Sequence, residues 1–114
     1  MMKSANSPRR LSLLNDLHLV PSMEKDLEKI LAVLKTYHVK RVILYGSLAR
    51  GDFRENSDID ICVQGLADDY FFLALGQCLM LSSHAVSLTN LEQTAGYFRE
   101  RVLAEGKVLY EQGQ

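Results

Sequence analysis

Two aspartates one residue apart, Asp58 and Asp60, open the apolar run Ile59-Asp60-Ile61-Cys62-Val63. The β-branched and aliphatic residues of that run predict a strand. Side chains alternate along a strand, so both carboxylates project from one face while Ile59 and Ile61 point into a core on the other. Two unpaired carboxylates this close repel each other, and acids heading a buried strand are costly to desolvate. A hard divalent cation resolves both problems, and Mg²⁺ is the ion that takes carboxylate and phosphate oxygens together. Metals held by such a pair stabilise the attacking and leaving oxygens of phosphoryl or nucleotidyl transfer. The plainer alternative makes Asp58 a turn cap and Asp60 an exposed edge residue, and it leaves their pairing unexplained.

The stretch before the aspartates sharpens this reading. Arg41-Val42-Ile43-Leu44-Tyr45 is a short β-rich run, expected to be a buried strand. It runs into Gly46-Ser47, where glycine lets backbone approach a ligand closely, exposed N–H groups can cradle phosphate oxygens, and the serine hydroxyl adds a donor. Ten residues separate Ser47 from Asp58. Gly-Ser and Asp-x-Asp at a fixed spacing occur by chance in roughly one chain of this length in a thousand.

Bulk properties remove other function classes. The 114 residues suit one domain, 47% hydrophobic and 24% charged. The net charge of −1 supplies no global field toward nucleic acid or anionic membrane. The longest apolar stretch, residues 70–81, includes Gln77 and is too short to span a bilayer. The basic N-terminus is not followed by the apolar segment of a secretory signal. Cys62 and Cys78 lack CxxC spacing and His18, His38 and His84 are scattered, so no zinc site is expected. The thiols read as buried and reduced, and the location as cytoplasmic.

Residues 1–22 form an N-terminal unit: a polar, basic stretch to Arg10, then a packing segment with Leu11, Leu13, Leu14, Leu17 and Leu19. Residues 23–114 form the catalytic-type domain. Ser22 is expected to cap a helix over residues 23–37, with Glu24 and Asp26 in its first turn and Leu27, Ile30, Leu31 and Leu34 on its buried face. After the first strand, residues 46–57 read as a loop with at most a short helix near its start. Beyond the second strand, Asp68-Asp69 starts a helix to about Leu81, apolar nearly all round and therefore expected to be buried against the sheet. Ala85-Val86-Ser87-Leu88 is a third strand. Residues 91–105 are a helix interrupted near Gly96, with Gly106 as C-cap, and Lys107-Val108-Leu109-Tyr110 closes the chain as a strand. The fold class is α/β (α+β), a small mixed sheet covered by helices.

The text Val42-Ile43-Leu44-Tyr45-Gly46-Ser47-Leu48-Ala49-Arg50-Gly51, followed by Ser57-Asp58-Ile59-Asp60-Ile61, resembles the minimal nucleotidyltransferases of the DNA polymerase β-like superfamily. So does the ending, Phe98-Arg99-Glu100-Arg101-Val102-Leu103 through Gly106-Lys107-Val108-Leu109-Tyr110-Glu111. The resemblance implies a nucleotidyltransferase fold, with Asp58 and Asp60 as catalytic metal ligands for Mg²⁺. It implies that Gly46 and Ser47 contact the triphosphate of ATP or another nucleoside triphosphate and that Arg50 steadies it. Arg54 reads as a solvated loop charge. The family pattern also places a third carboxylate on the next strand, where this chain has Ser87, a neutral hydroxyl and a poor base. Glu92, Asp68 and Asp69 are the nearby acids, each better explained in a helix's first turn.

Two expectations follow. One is an enzyme that moves AMP from ATP onto a partner protein, as antitoxins of this size do to a tyrosine of a HEPN-type toxin. The other is a homologue weakened at Ser87 that binds nucleotide or partner as an antitoxin or regulatory subunit. The assembly is expected to be a homo-dimer or hetero-oligomer away from membranes, and the run Tyr70-Phe71-Phe72-Leu73 with Leu75 is a docking or dimerisation face if part of it is exposed.

Overall fold

The computed structural model describes residues 19–54 and 56–112. The expectations for the polar tail, for Leu11 to Leu17 and for His18 lie outside the described residues.

Helix α1 spans Pro21–Thr36. Met23, Leu27, Ile30, Leu31 and Leu34 recur at helical spacing and are essentially inaccessible; sequestering each stabilises the fold by about 1.5–3 kcal/mol relative to exposure. The helix begins earlier than expected. Pro21 occupies the first turn, Val20 precedes it with no side-chain cap, and Ser22 lies inside the helix instead of capping it. Proline's fixed φ and missing N–H suit that position. Asp26, expected in the first turn, lies beyond it because the helix starts earlier, and it is buried. The helix ends where His38 adopts φ 65°, letting the Val39 N–H donate to the Leu34 carbonyl at 3.2 Å.

Four strands follow: β1 (Arg41–Tyr45), β2 (Ile59–Gln64), β3 (Val86–Asn90) and β4 (Lys107–Glu111). They form one sheet in the order β3-β2-β1-β4. β1 runs antiparallel to both β2 and β4, and β2 pairs parallel to β3. This is the mixed sheet expected from the order of elements. Between β1 and β2 lies a one-turn helix, α2 (Ser47–Arg50); between β2 and β3 lies α3 (Asp68–Leu81). A 3₁₀ turn (Leu91–Gln93) and α4 (Gly96–Glu105) lead into β4, so the last helical stretch is interrupted before Gly96 as expected.

The two faces of the sheet carry different cores. Val42, Leu44, Ile59, Ile61, Val63 and Val86 pack with the apolar face of α1. Ile43, Cys62 and Tyr45 face the other way, against Leu91 and Val102 of the 3₁₀ turn and α4. Gly106 closes α4 in extended geometry, its N–H donating to the Val102 carbonyl at 2.9 Å. A side chain at Gly106 would overlap Ile43, so glycine is what allows β4 to pass close to β1.

Helix α3 corrects an expectation. Only Ala74 and Cys78 of it are buried, while Phe72 is 77% and Met80 85% exposed. The helix rests on α1 and on β3 with one side, and no further layer of described residues covers its outer side. An all-round apolar helix requires neighbours all round, and this sheet supplies them on one side only.

Candidate active site

Tyr45 ends β1, and the backbone turns at Gly46 with φ 77° and ψ −155°, a region L-residues rarely enter. Space imposes glycine there as well, because a Cβ would collide with the Asp60 carboxylate. The chain then winds through α2, where the Arg50 N–H donates to the Gly46 carbonyl at 3.1 Å and the Gly51 N–H to the Ser47 carbonyl at 2.9 Å. Leu48 and Ala49 bury the inner side of that turn, leaving Ser47 partly accessible and Arg50 at the surface. Gly51, at φ 89°, releases the chain into the loop.

Strand β2 brings Asp60 to this turn. It lies between Tyr45 of β1 and Ser87 of β3, both its register partners, so Tyr45, Asp60 and Ser87 form a row across three strands on one face. Asp58, just before β2, is exposed and Asp60 half-buried. Burial pushes the Asp60 carboxyl above the ordinary aspartate range; the neighbouring Asp58 charge adds to that and the Arg50 guanidinium opposes it. Arg50 is itself held by Asp52 at 3.3 Å. The structure thus brings together Gly46, Arg50, Asp58 and Asp60, with Ser47 on the same turn and Ser87 in register beside Asp60.

An Asp60 carboxyl raised by burial and by the neighbouring Asp58 charge, seated against a glycine turn, fits a divalent ion and a phosphate. Among the described residues no third His, Cys, Asp or Glu joins them in a group that could hold a metal. Glu92 does not supply one. Its carboxylate accepts from the Gly65 N–H at 3.1 Å, past the far end of β2, about 16 Å of strand from Asp60. Asp68 and Asp69 sit in the first turn of α3, as expected. Ser87 is exposed and lies within hydrogen-bonding reach of the Tyr45 hydroxyl, which also pairs with Thr89 Oγ1 at 3.2 Å.

A cleft of about 190 Å³ opens beside the glycine turn, between Tyr45, Gly46 and Arg50 on one side and Phe98, Arg101, Val102 and Glu105 of α4 on the other. The Phe98 and Tyr45 rings meet at right angles, centroids 5.6 Å apart. Arg101 pairs with Glu105 at 3.3 Å and lies over the Tyr97 ring. Reading the sequence did not assign these α4 residues to the site. The signal was their spacing, 98, 101, 102 and 105, which is one helix face.

Away from the site, Asp26 of α1 organises the turn between α3 and β3. Its Oδ2 accepts from Ser82 Oγ (2.9 Å), Ser83 N (2.9 Å), Ser83 Oγ (2.9 Å) and His84 N (3.0 Å), and pairs with His84 Nδ1 at 2.8 Å. That turn delivers Ala85, whose carbonyl accepts from the Ile59 N–H at 2.8 Å, so the clamp sets where β3 meets the start of β2.

A family model described as polymerase beta, nucleotidyltransferase, matches residues 28–114. The Methanocaldococcus jannaschii protein MJ0604, named as a putative protein adenylyltransferase, is 35% identical over 97 residues, covering 76% of this chain and 97% of that protein. A solved toxin–antitoxin structure with AMP-PNP aligns with a TM-score of 0.65 and 24% identity, over 75% of this chain and 73% of that one. A complex of a tri-AMPylated Shewanella oneidensis HEPN toxin with its MNT antitoxin aligns with a TM-score of 0.61 and 20% identity, over 78% and 72%. These structural likenesses establish the shared fold. Among the described residues no helix is long and apolar enough to cross a membrane. The family to which the model and the archaeal relative assign this chain works with divalent metal ions: the chain belongs to the polymerase β nucleotidyltransferases.

Proposed function

We propose that this chain is a nucleotidyltransferase antitoxin that takes ATP with Mg²⁺ and transfers AMP to a HEPN-type toxin in the cytoplasm. The observation that carries the reading is the seating of the Asp60 carboxylate against the Gly46 turn, with Asp58 beside it. It joins a phosphate cradle to a carboxylate pair in one place. The relative's name, a protein adenylyltransferase, and the antitoxin complexes that share the fold support the choice of reaction and partner.

In this reading Asp58 and Asp60 hold the metal, Gly46 and Ser47 bind the triphosphate through backbone N–H and hydroxyl donors, and Arg50 steadies it. Bound there, the ion offsets the charge of the two carboxylates and of the phosphates. The acceptor's hydroxyl oxygen forms a bond to the α-phosphorus as the bond to the bridging oxygen of the β-phosphate breaks, and pyrophosphate leaves. Ser87 stands beside Asp60 where a third carboxylate would take the acceptor's proton, and a neutral serine does this poorly. The proton therefore passes to water or to a base on the partner. The outward apolar stripe of α3, with Phe72, Leu73 and Met80, is the kind of surface a protein partner covers.

Ser87 also favours a second reading, an antitoxin that binds nucleotide and partner without turnover. Incubation with Mg²⁺, α-labelled ATP and a HEPN-type toxin tests both, with Asp58→Ala/Asp60→Ala as control. Label on the toxin with wild type alone supports transfer. Saturable ATP and toxin binding without label supports the second reading, and absence of ATP binding sinks both.

A further inference from the structure

The cleft between the glycine turn and α4 has a composition that the phosphate and metal roles do not account for. Its shared wall, Gly46 and Arg50, belongs to the turn assigned to the phosphates. Its opposite wall combines the Phe98 ring, the buried Val102, the Arg101 guanidinium and the Glu105 carboxylate. A carboxylate repels phosphate, so the Glu105 end is unsuited to the charged half of a nucleotide. It is suited to hydroxyl and amino donors. Aromatic faces and guanidinium planes stack on flat heterocycles.

Size points the same way. Sites that enclose a whole drug-sized ligand run to about 300–1,000 Å³. At about 190 Å³ this cleft holds part of such a molecule, with the remainder lying outside along the turn. Phe98, Arg101, Val102 and Glu105 recur at helical spacing, so α4 presents them together. Phe98 keeps 42% of its surface exposed although it stacks at right angles with Tyr45, which leaves ring area for a ligand.

We propose that this cleft is the subsite for the nucleoside half of the bound nucleotide, with Phe98 stacking on the base and Glu105 accepting from ribose hydroxyls or an exocyclic amine. The assignment rests on the nucleotide reading above and adds to it the residues that recognise a nucleoside. Arg101, tethered to Glu105, holds that carboxylate in place and lines the cleft with it.

The test compares ATP with inorganic tripolyphosphate, which carries the phosphates without the nucleoside, by calorimetry in Mg²⁺ on the full chain. Wild type is expected to bind ATP more tightly. Phe98→Ala should weaken ATP binding about tenfold, the scale of one lost stacking contact, and leave tripolyphosphate binding within twofold. Glu105→Gln, at an exposed position, should weaken ATP binding a few-fold with unchanged thermal melting. Equal losses for both ligands, or no loss for ATP in either variant, overturn the subsite. So does intact ATP binding with reduced transfer to the partner, which would give the cleft to the acceptor. Wild type that binds tripolyphosphate but gains nothing from the nucleoside overturns the subsite alone. Wild type that binds neither removes the nucleotide reading together with it.

Discussion

The Asp60 carboxylate lies so close to the Gly46 backbone that one added methyl group would overlap it. Gly46→Ala therefore forces either Asp60 or the turn to move, at a φ of 77° that alanine also disfavours. The expected cost is about 1–3 kcal/mol in urea unfolding, together with loss of ATP binding by calorimetry. A variant that keeps full affinity would separate the turn from the site.

Ser87→Asp places a third carboxylate in register with Asp60. Without metal it should destabilise the fold by about 1 kcal/mol through like-charge repulsion, and Mg²⁺ should restore more of that stability than it adds to wild type. If the missing acid limits turnover, label transfer should rise at least tenfold. Unchanged transfer would assign proton removal to another group.

The Asp26–His84 clamp makes stability depend on pH at the acid end. Burial alone would raise the Asp26 carboxyl, but the hydrogen bonds from His84, Ser82 and Ser83 outweigh it and hold it below the ordinary value of 3.8. The unfolded chain thus binds this proton more readily than the folded one. The contribution is complete above the unfolded value and is lost as pH falls below it through the folded value. Asp26→Ala, which strands several donors, should cost about 2–4 kcal/mol at pH 7. The gap from wild type should narrow in melts below pH 4, and a gap constant with pH would refute the linkage.

Phe72 and Met80 lie on the open side of α3. Replacing both with glutamate should change the stability of the isolated chain by about 0.5 kcal/mol or less. Binding to the toxin should weaken at least tenfold if this stripe is the docking face. Co-purification and melting curves check the two halves of that expectation.

Both thiols should resist alkylation in the native state. Burial pushes Cys62 and Cys78 up to about 11, so little thiolate exists at pH 8 and access is blocked. Mass spectrometry after iodoacetamide treatment should find both cysteines free until denaturant is added.

Period and punctuation in the sequence were enough to locate every described strand, the mixed sheet and the two halves of the nucleotide motif. These are local signals: alternation marks β2, helical spacing marks α1, and glycine marks the turn at residue 46. Three features came only with the tertiary structure, and each depends on residues distant in sequence. Asp26 read only as a first-turn complement to the helix dipole because its donors at Ser82, Ser83 and His84 lie more than fifty positions away. Helix α3 looked buried because composition records how apolar a helix is, and not how many sides the sheet and α1 leave uncovered. Phe98, Arg101 and Glu105 meet the Gly46 turn only because α4 packs across β1. The pair Asp58 and Asp60, read with Gly46-Ser47, pointed to the family in advance, while the fold alone showed Asp60 seated on Gly46 with Ser87 as its partner on β3.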